Sequence, residues 1–256
     1  MIPLIQHIGR YTIEFVLETG RMFLFLFTVI ALAVRPPYRI HNLLKQIHFI
    51  GIRSLFVIVL TAIFAGMVLA LQGYYTLTRF GAEGMLGPAV ALSIIRELGP
   101  VLSGLMVTGR AGSALAAELG IMRIREQVDA LEVMGISSLQ YLVVPRILAG
   151  LISLPILTVI FDVIGILGGY LIAVQLLEMS SGVYFSGIES AVVMRDITTG
   201  LIKAVSFGLI VTWICTFKGY HAKRGAEGVS QATTSAVVLS SVLILVCDYF
   251  ITSVLL

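Results

Sequence analysis

The sequence is poor in charged residues and lacks the motifs that bind nucleotides or build a hydrolase site. Charged residues make up 12% of the 256 residues, whereas about a quarter is usual for a soluble domain. There is no G-x-x-x-x-G-K-[ST] loop and no G-x-S-x-G elbow, and the four histidines lack the spacing of metal ligands. We therefore expect no cofactor in this chain, and the energy for any active process must come from an ion gradient or a partner.

The N-terminus lacks the pattern of a cleavable signal peptide, and cysteine is scarce. The first residues, MIPLIQHIGR, have no basic segment before an apolar core and no small-residue cleavage site. Cys215 and Cys247 both lie in apolar runs, where cysteine usually serves as a small buried hydrophobic residue. We therefore expect neither a removed leader nor a redox role.

Apolar residues dominate the rest of the sequence. They make up 58% of the chain, and the mean hydropathy is +1.03. This composition predicts an all-α polytopic membrane protein of about five or six spans in a single domain. Ala62, Gly66 and Ala70 recur at steps of four and predict close helix packing in the first span. The predicted spans are 54–77, 88–109, 147–177, 196–217 and 236–256, and segment 178–195 is predicted to be a loop with a short helix.

Residues 1–34 form an N-terminal element that is predicted to lie in the membrane interface. Its apolar run MFLFLFTVIALAV has 13 residues, too few to cross a membrane alone. A full span that includes the preceding charged turn is the alternative. The polar residues before the run recur at helical spacing and define one polar stripe, which consists of His7, Arg10, Glu14, Glu18 and Arg21.

The basic residues favour one orientation in the membrane. Thirteen lysines and arginines precede the first span or lie between spans two and three or between spans four and five. Only Arg79 and Arg195 lie in the other loops. Because cytoplasmic loops are rich in basic residues, this bias predicts a cytoplasmic N-terminus and a C-terminus on the opposite side.

Seven charges are concentrated in GRAGSALAAELGIMRIREQVDALEVMG (109–135), on the predicted cytoplasmic side. Apolar and charged positions alternate at helical spacing over 118–135, which predicts one amphipathic helix. Such a helix either rests on the membrane surface or docks a soluble partner. Mixed charge favours docking, because a lipid-surface helix is mainly basic. The candidate docking residues are Glu118, Arg123, Arg125, Glu126, Asp129 and Glu132.

Ionisable residues also lie inside the predicted spans. Because placing a charged side chain in the hydrocarbon layer costs free energy, each of them suggests a function. Arg96, Lys203 and Asp248 are each eight residues from the outer end of a span, about 12 Å at 1.5 Å per residue. Glu97 is predicted to lie at the same depth in the membrane, and Asp162 is predicted to lie near that depth. One interpretation is mutual pairing that stabilises helix packing. The other is a water-filled cavity in which Arg96 and Lys203 hold a headgroup phosphate. The apolar walls of that cavity would be Leu69, Leu77 and Phe80.

Two other functions fit a polytopic membrane protein. A secondary transporter would show repeated halves with interrupted helices at matching positions, and the sequence shows neither. An intramembrane lipid enzyme would need clustered acids or a nucleophile near the cytoplasmic face, whereas the acids here are spread over three spans in the outer half. Dependence on an ion gradient would support the first alternative, and product formation by the purified chain would support the second.

Four segments resemble the MlaE (YrbE) family of ABC-transporter permeases. The blocks R-E-L-G-P and G-R-A-G-S-A-x-x-A-E-x-G are the most specific, and the resemblance covers most of the chain. The segments are LQGYYTL (71–77), IIRELGPVLSGLMVTGRAGSALAAELGIMRIREQVDALEVMGI (94–136), VPRILAGLISLPILT (144–158) and GVSQATTSAVV (228–238).

The resemblance implies a homodimer in the inner membrane of Gram-negative bacteria, with a cytoplasmic N-terminus and a periplasmic C-terminus. It implies three partners and no nucleic acid: a MlaF-like ATPase that binds ATP and Mg, a MlaB-like STAS-domain protein and a MlaD-like hexameric lipid-binding ring. The implied function is movement of phospholipid between the inner membrane and a periplasmic carrier, which maintains outer-membrane lipid asymmetry.

Residue roles also follow from the resemblance. Glu97 and Lys203 match motif positions that line an outward-facing lipid cavity in the family, whereas Asp162 matches no position of the pattern. Residues 118–135 correspond to the helix on which the ATPase acts.

Overall fold

The computed structural model describes residues 2–36 and 39–255, with side chains from Ile13 onward except Phe15. Met1 and Leu256, the outermost residues of the predicted element 1–34 and span 236–256, lie outside the described residues, as do the side chains of His7 and Arg10. The described residues are mainly helical and contain no β-strand, so the all-α class is confirmed.

Eleven α-helices make up the described part of the chain. They are α1 (Ile2–Ala33), α2 (Ile40–Ile50), α3 (Leu55–Thr78), α4 (Leu86–Ser93), α5 (Gly99–Val107), α6 (Ser113–Ile124), α7 (Gln127–Val133), α8 (Val144–Tyr170), α9 (Ser181–Ala191), α10 (Met194–Tyr220) and α11 (Ala226–Leu255). Wider π-helical turns join some of them, at Ile94–Leu98, Thr108–Gly112, Leu139–Val143 and Leu171–Leu176. The chain therefore runs as one helical stretch from Glu83 to Ile124, and as another from Leu139 to Leu176.

Six of these stretches are long and apolar enough to cross a membrane. Five overlap the predicted spans, two of which (147–177 and 236–256) extend one residue beyond their stretch, and the sixth, Val16–Ala33, lies in α1. The polar stripe and the apolar run of the N-terminal element are thus parts of a single helix, and the interfacial location of 1–34 stays a prediction. The stretches are Val16–Ala33, Ile40–Thr78, Glu83–Ile124, Leu139–Leu176, Met194–Tyr220 and Ala226–Leu255.

Close packing of small residues holds α3 against α8. A Cβ atom on Gly66 would lie 1.8 Å from the carbonyl oxygen of Gly165, so the two backbones touch at this point. Ala62 and Ala70, one turn to either side of Gly66, are fully buried. The small-residue face predicted for the first span therefore exists, and α8 is the helix that it contacts.

The predicted single helix 118–135 is wrong, because the structure divides it into α6 and α7. The chain turns at Arg125 and Glu126, and Glu126 adopts a left-handed conformation with φ of 57°. Across the turn, Arg123 pairs with Asp129 at 2.5 Å, and Val128 is fully buried. The ion pair and the buried valine hold α7 against the body of the protein. Such a turn cannot be predicted from helical periodicity.

Candidate functional site

Lys203 of α10 is the centre of the intramembrane charge cluster. Its side chain is fully buried, and its Nζ lies 2.6 Å from Glu97 Oε2 and 2.9 Å from Asp248 Oδ1. It also donates a hydrogen bond of 2.8 Å to the backbone carbonyl oxygen of Arg96. A buried ammonium is tolerated only when it is paired in this way. The cluster predicted from span depth therefore exists, and it joins three helical stretches, Glu83–Ile124, Met194–Tyr220 and Ala226–Leu255.

The local sequence explains why the carbonyl of Arg96 is available to Lys203. In an α-helix this oxygen would accept the N–H of residue 100, which is Pro100 and has no N–H. The π-helical turn Ile94–Leu98 ends two residues before the proline, and such turns often occur at functional sites. Gly200 lets α10 approach, because a Cβ there would be 2.5 Å from the carbonyl oxygen of Ile95.

Arg96 makes a second ion pair at the N-terminus of α10. Its Nε and Nη2 both lie 2.7 Å from Asp196 Oδ1. The other oxygen of Asp196 accepts the backbone N–H of Val193 at 3.0 Å, which caps α10. Asp196 was not among the predicted site residues. A signal for it exists, because it precedes Lys203 by seven residues and so lies on the same helical face.

A cavity of about 210 Å³ opens beside the cluster. Arg96 and Glu97 line it with side chains that are 36% and 42% exposed, and Thr252 donates to Glu97 Oε1 at 3.4 Å. Lys203 lies beneath the cavity and not on its wall. Arg96 and Glu97 can therefore meet a polar ligand directly, whereas Lys203 positions Glu97 and Asp248.

The predicted apolar walls lie elsewhere. Leu69 and Leu77 line a separate groove of about 350 Å³ between α3 and α4, and Phe80 is 79% exposed just after α3. The structure does not bring these three residues to Arg96 and Glu97 within one chain. Asp162 packs against the backbone of Gly99, two residues beyond Glu97, and no hydrogen bond to its buried Oδ1 is made by the described residues.

At the other end of the stretch Glu83–Ile124, several predicted docking residues have partners within the chain. Glu118 pairs with the buried Arg146 at 3.0 Å. Glu132 accepts hydrogen bonds from Ser138 at 2.7 Å and from Tyr220 at 3.2 Å. These contacts hold α6 against α8, and α7 against the end of α10.

Two of the exposed charges in this segment have no partner among the described side chains. Arg125 and Glu126 are exposed at the left-handed turn, and the described side chains make no ion pair or hydrogen bond with them. At the end of α7, Val133 is 88% exposed and Met134 is 65% exposed. We call the exposed side chains around α7, which include these two charges and two large apolar groups, the α7 surface. It has the mixed character of a protein-docking site.

Known proteins are similar to this chain over segments that include both the Arg96 cavity and the α7 surface. The model of the family described as permease MlaE matches residues 43–254. A probable ABC transporter permease of Rickettsia felis is 44% identical over 252 residues, which cover 98% of this chain and 97% of the relative. The intermembrane phospholipid transport system permease protein MlaE of Haemophilus influenzae is 44% identical over 258 residues, covering 100% of this chain and 98% of the relative. The chloroplastic protein TRIGALACTOSYLDIACYLGLYCEROL 1 of Arabidopsis thaliana is 37% identical over 212 residues, covering 83% of this chain and 61% of the relative.

Proposed function

The chain belongs to the MlaE permease family, and on that premise we propose that it is the phospholipid-transporting membrane subunit of an ABC transporter. It moves phospholipid between the inner membrane and a periplasmic carrier and so maintains the lipid asymmetry of the outer membrane. The full-length similarity to a permease named for intermembrane phospholipid transport supports this assignment.

The partly exposed pair Arg96 and Glu97 is the observation that carries the proposal. Within a membrane-spanning stretch, both side chains face a cavity and are held by ion pairs to Asp196 and Lys203. The guanidinium provides donors for a phosphate, and the carboxylate provides an acceptor for headgroup ammonium or hydroxyl groups. Acyl chains would lie on the apolar surfaces of the neighbouring helices, including the groove at Leu69 and Leu77.

The proposal includes the partners and the location. The chain works as a homodimer in a Gram-negative inner membrane, with a cytoplasmic N-terminus and a periplasmic C-terminus. A MlaF-like ATPase binds ATP and Mg, and this chain holds neither. A MlaB-like STAS protein and a MlaD-like hexameric ring complete the assembly on the two sides of the membrane. The basic residues of the loops support this orientation.

One helical stretch connects the proposed ATPase contact to the lipid cavity. From Glu97 to Ile124 it covers about 40 Å at 1.5 Å per residue. The ATPase pushes on the α7 surface, and the stretch transmits the movement to the level of Arg96 and Glu97. Lipid is released only if the two nucleotide states bind it with different affinities, so the movement must change the cavity. The two π-helical turns along the stretch are sites where the helix can change its register.

The lipid site is tested by transfer of a fluorescent phospholipid from vesicles that contain the complete complex to the periplasmic carrier. Arg96→Gln and Glu97→Gln should each slow transfer about tenfold or more, because a hydrogen bond to a charged group contributes about 1.5–3 kcal/mol. Arg79→Gln, which removes an exposed cation next to α3, is the control and should transfer at the wild-type rate. Wild-type rates in the two cavity variants would refute the site.

The coupling contact is tested with the double substitution Arg125→Ala/Glu126→Ala. It should weaken association with the ATPase and lower lipid-dependent ATP hydrolysis. Glu178→Ala is a matched control, because Glu178 has a left-handed φ of 55°, close to the 57° of Glu126, but lies before α9 on the proposed periplasmic side. Normal assembly with full ATP hydrolysis in the double variant would contradict the proposed contact.

A further inference from the structure

Two connected spaces on α1, α10 and α11 share no lining residue with the Arg96 cavity. We propose that α1, α10 and α11 bind a membrane phospholipid of the cytoplasmic leaflet. Its phosphate contacts the cations at the mouth of a polar cavity, and one acyl chain lies in the adjoining apolar groove. This site is distinct from the proposed transport cavity.

The apolar groove is a space of about 750 Å³. Its wall includes Met22 and Phe23 of α1, Trp213 of α10, and Val238 and Val242 of α11. Ligand pockets usually measure about 300–1,000 Å³ and are mainly apolar, so the groove has the size and lining of a binding site. It runs from Ser235 to Cys247 along α11, about 18 Å at 1.5 Å per residue, close to the ~15 Å of one hydrocarbon leaflet.

A polar cavity of about 580 Å³ continues the groove at its cytoplasmic end. Glu18, Lys218 and Ser235 line both spaces, so the two form one continuous feature with an apolar part and a charged part. This arrangement fits an amphipathic ligand, whose chain and headgroup need different surroundings.

The charges around the polar cavity suit a phosphate-containing headgroup. Three cations, Arg21, Lys218 and Lys223, face two carboxylates, Glu14 and Glu18. Lys218 forms an ion pair with Glu18, and the exposed Arg21 and Lys223 are placed to contact a phosphate.

His221 also lines this cavity. Burial lowers the pKa of its imidazole, so at neutral pH His221 contributes less positive charge to the cavity than a free imidazole would. Part of the polar stripe predicted for residues 1–34 (Glu14, Glu18 and Arg21) thus faces a cavity of the protein.

The groove wall is built on a fixed contact between α1 and α10. The indole Nε1 of Trp213 donates a hydrogen bond of 2.9 Å to the carbonyl oxygen of Met22, and the ring centroids of Phe23 and Trp213 are 5.2 Å apart. Aromatic side chains with a satisfied polar atom are typical at the boundary between apolar and polar layers. The groove is therefore held open by defined packing.

Trp213 is the single tryptophan of the chain, which allows a direct test. Phospholipids with brominated acyl chains, either phosphatidylglycerol or phosphatidylethanolamine, are titrated into the purified full-length chain in detergent. Bromine quenches tryptophan fluorescence at contact distance, so a chain in the groove should quench Trp213 saturably. Quenching by either lipid supports the proposal, and their relative affinities show whether an anionic or a zwitterionic headgroup is preferred.

Substitutions in the polar cavity and in the apolar groove test the contributions of the headgroup and of the acyl chain to binding separately. Lys223→Gln should raise the half-saturating lipid concentration about fivefold, equivalent to ~1 kcal/mol for one cation at a membrane surface. The neighbouring Arg224→Gln, whose side chain lines neither space, should leave it unchanged. Val242→Phe, which fills the groove, should reduce quenching severalfold, and Val246→Phe, exposed on α11 outside the groove, should not.

Three results would overturn the proposal. The first is the absence of saturable quenching. The second is equal quenching by a brominated detergent without phosphate, together with no effect of Lys223→Gln, which would show an acyl-chain site without headgroup recognition. The third is efficient Val242→Cys cross-linking between two copies with no lipid quenching, which would make the groove an interface between copies. The surface substitution at Lys223 keeps the test decisive if Val242→Phe fails to fold.

Discussion

Replacing Lys203 with methionine is the most direct test of the intramembrane cluster. Methionine has a similar length but carries no charge, so Lys203→Met leaves the carboxylates of Glu97 and Asp248 without their cation. It also leaves the carbonyl oxygen of Arg96 without a donor, because Pro100 cannot supply one.

The loss of stability expected for Lys203→Met follows from how deeply Lys203, Glu97 and Asp248 are buried. Removing one partner of a buried ion pair costs about 3–5 kcal/mol. Lys203 is fully buried and the Asp248 side chain is 19% exposed, but the Glu97 side chain is 42% exposed and is partly solvated after the substitution. We therefore expect the lower end of the range, ~3 kcal/mol. For a chain of this size that corresponds to a fall in Tm of about 6–12 °C.

Thermal unfolding of the purified chain in detergent, followed by circular dichroism, measures this effect. Adding Asp248→Asn to Lys203→Met should recover about half of the lost stability, because the more buried carboxylate is then neutral. Lys218→Met is the control, since its partner Glu18 is 54% exposed and such pairs contribute less than about 1 kcal/mol. The reasoning fails if Lys203→Met unfolds at the wild-type temperature, or if Asp248→Asn worsens the single variant.

Three further predictions concern packing, backbone conformation and pH. Gly66→Ala should destabilise the protein by about 1–3 kcal/mol, because the new Cβ would overlap the carbonyl of Gly165. Gly20→Ala is the control and should not be destabilising, because a Cβ there has no neighbour within 4 Å. Thermal unfolding of the two variants measures the difference. Glu126→Gly should stabilise the chain by about 1 kcal/mol in the same assay, because it relieves the left-handed φ, yet it should still weaken ATPase binding if the Glu126 side chain makes the contact. Burial raises the pKa of Tyr184 from 10.0 to about 12, so the unfolded chain loses this proton first and stability should fall as the pH rises from 10 to about 12. A Tyr184→Phe variant should lack that part of the alkaline loss, which unfolding curves measured across this pH range would show.

The coupling segment shows where sequence periodicity is insufficient. The spacing of Ile121, Ile124, Val128 and Leu131 fits one helix, yet the chain turns at Glu126. Glutamate is a good helix former and does not mark a turn. Val128, two residues after the turn, is fully buried in the hydrophobic core, which is a property of the packed chain and not of the local spacing.

The docking residues were predicted as one set, and the structure separates them. Glu118, Arg123, Asp129 and Glu132 pair within the chain, whereas the described side chains make no ion pair or hydrogen bond with Arg125 and Glu126. Val133 and Met134 were not predicted to contribute, because an apolar residue on an amphipathic helix is usually assigned to the buried face. Their exposure becomes apparent only when α7 is placed against α6 and α10.

Composition and spacing were sufficient to identify the membrane helices, because a bilayer demands long apolar segments whatever their neighbours. Spacing also placed Arg96, Lys203 and Asp248 at one depth, since the rise per residue of a helix is constant. The partners of these charges depend on how each helix is rotated and which helices adjoin it. Asp196 therefore joins the cluster, and Leu69 and Leu77 lie in another groove. The space between α1, α10 and α11 likewise arises from assembly, because no single helix has a groove that its own sequence could reveal.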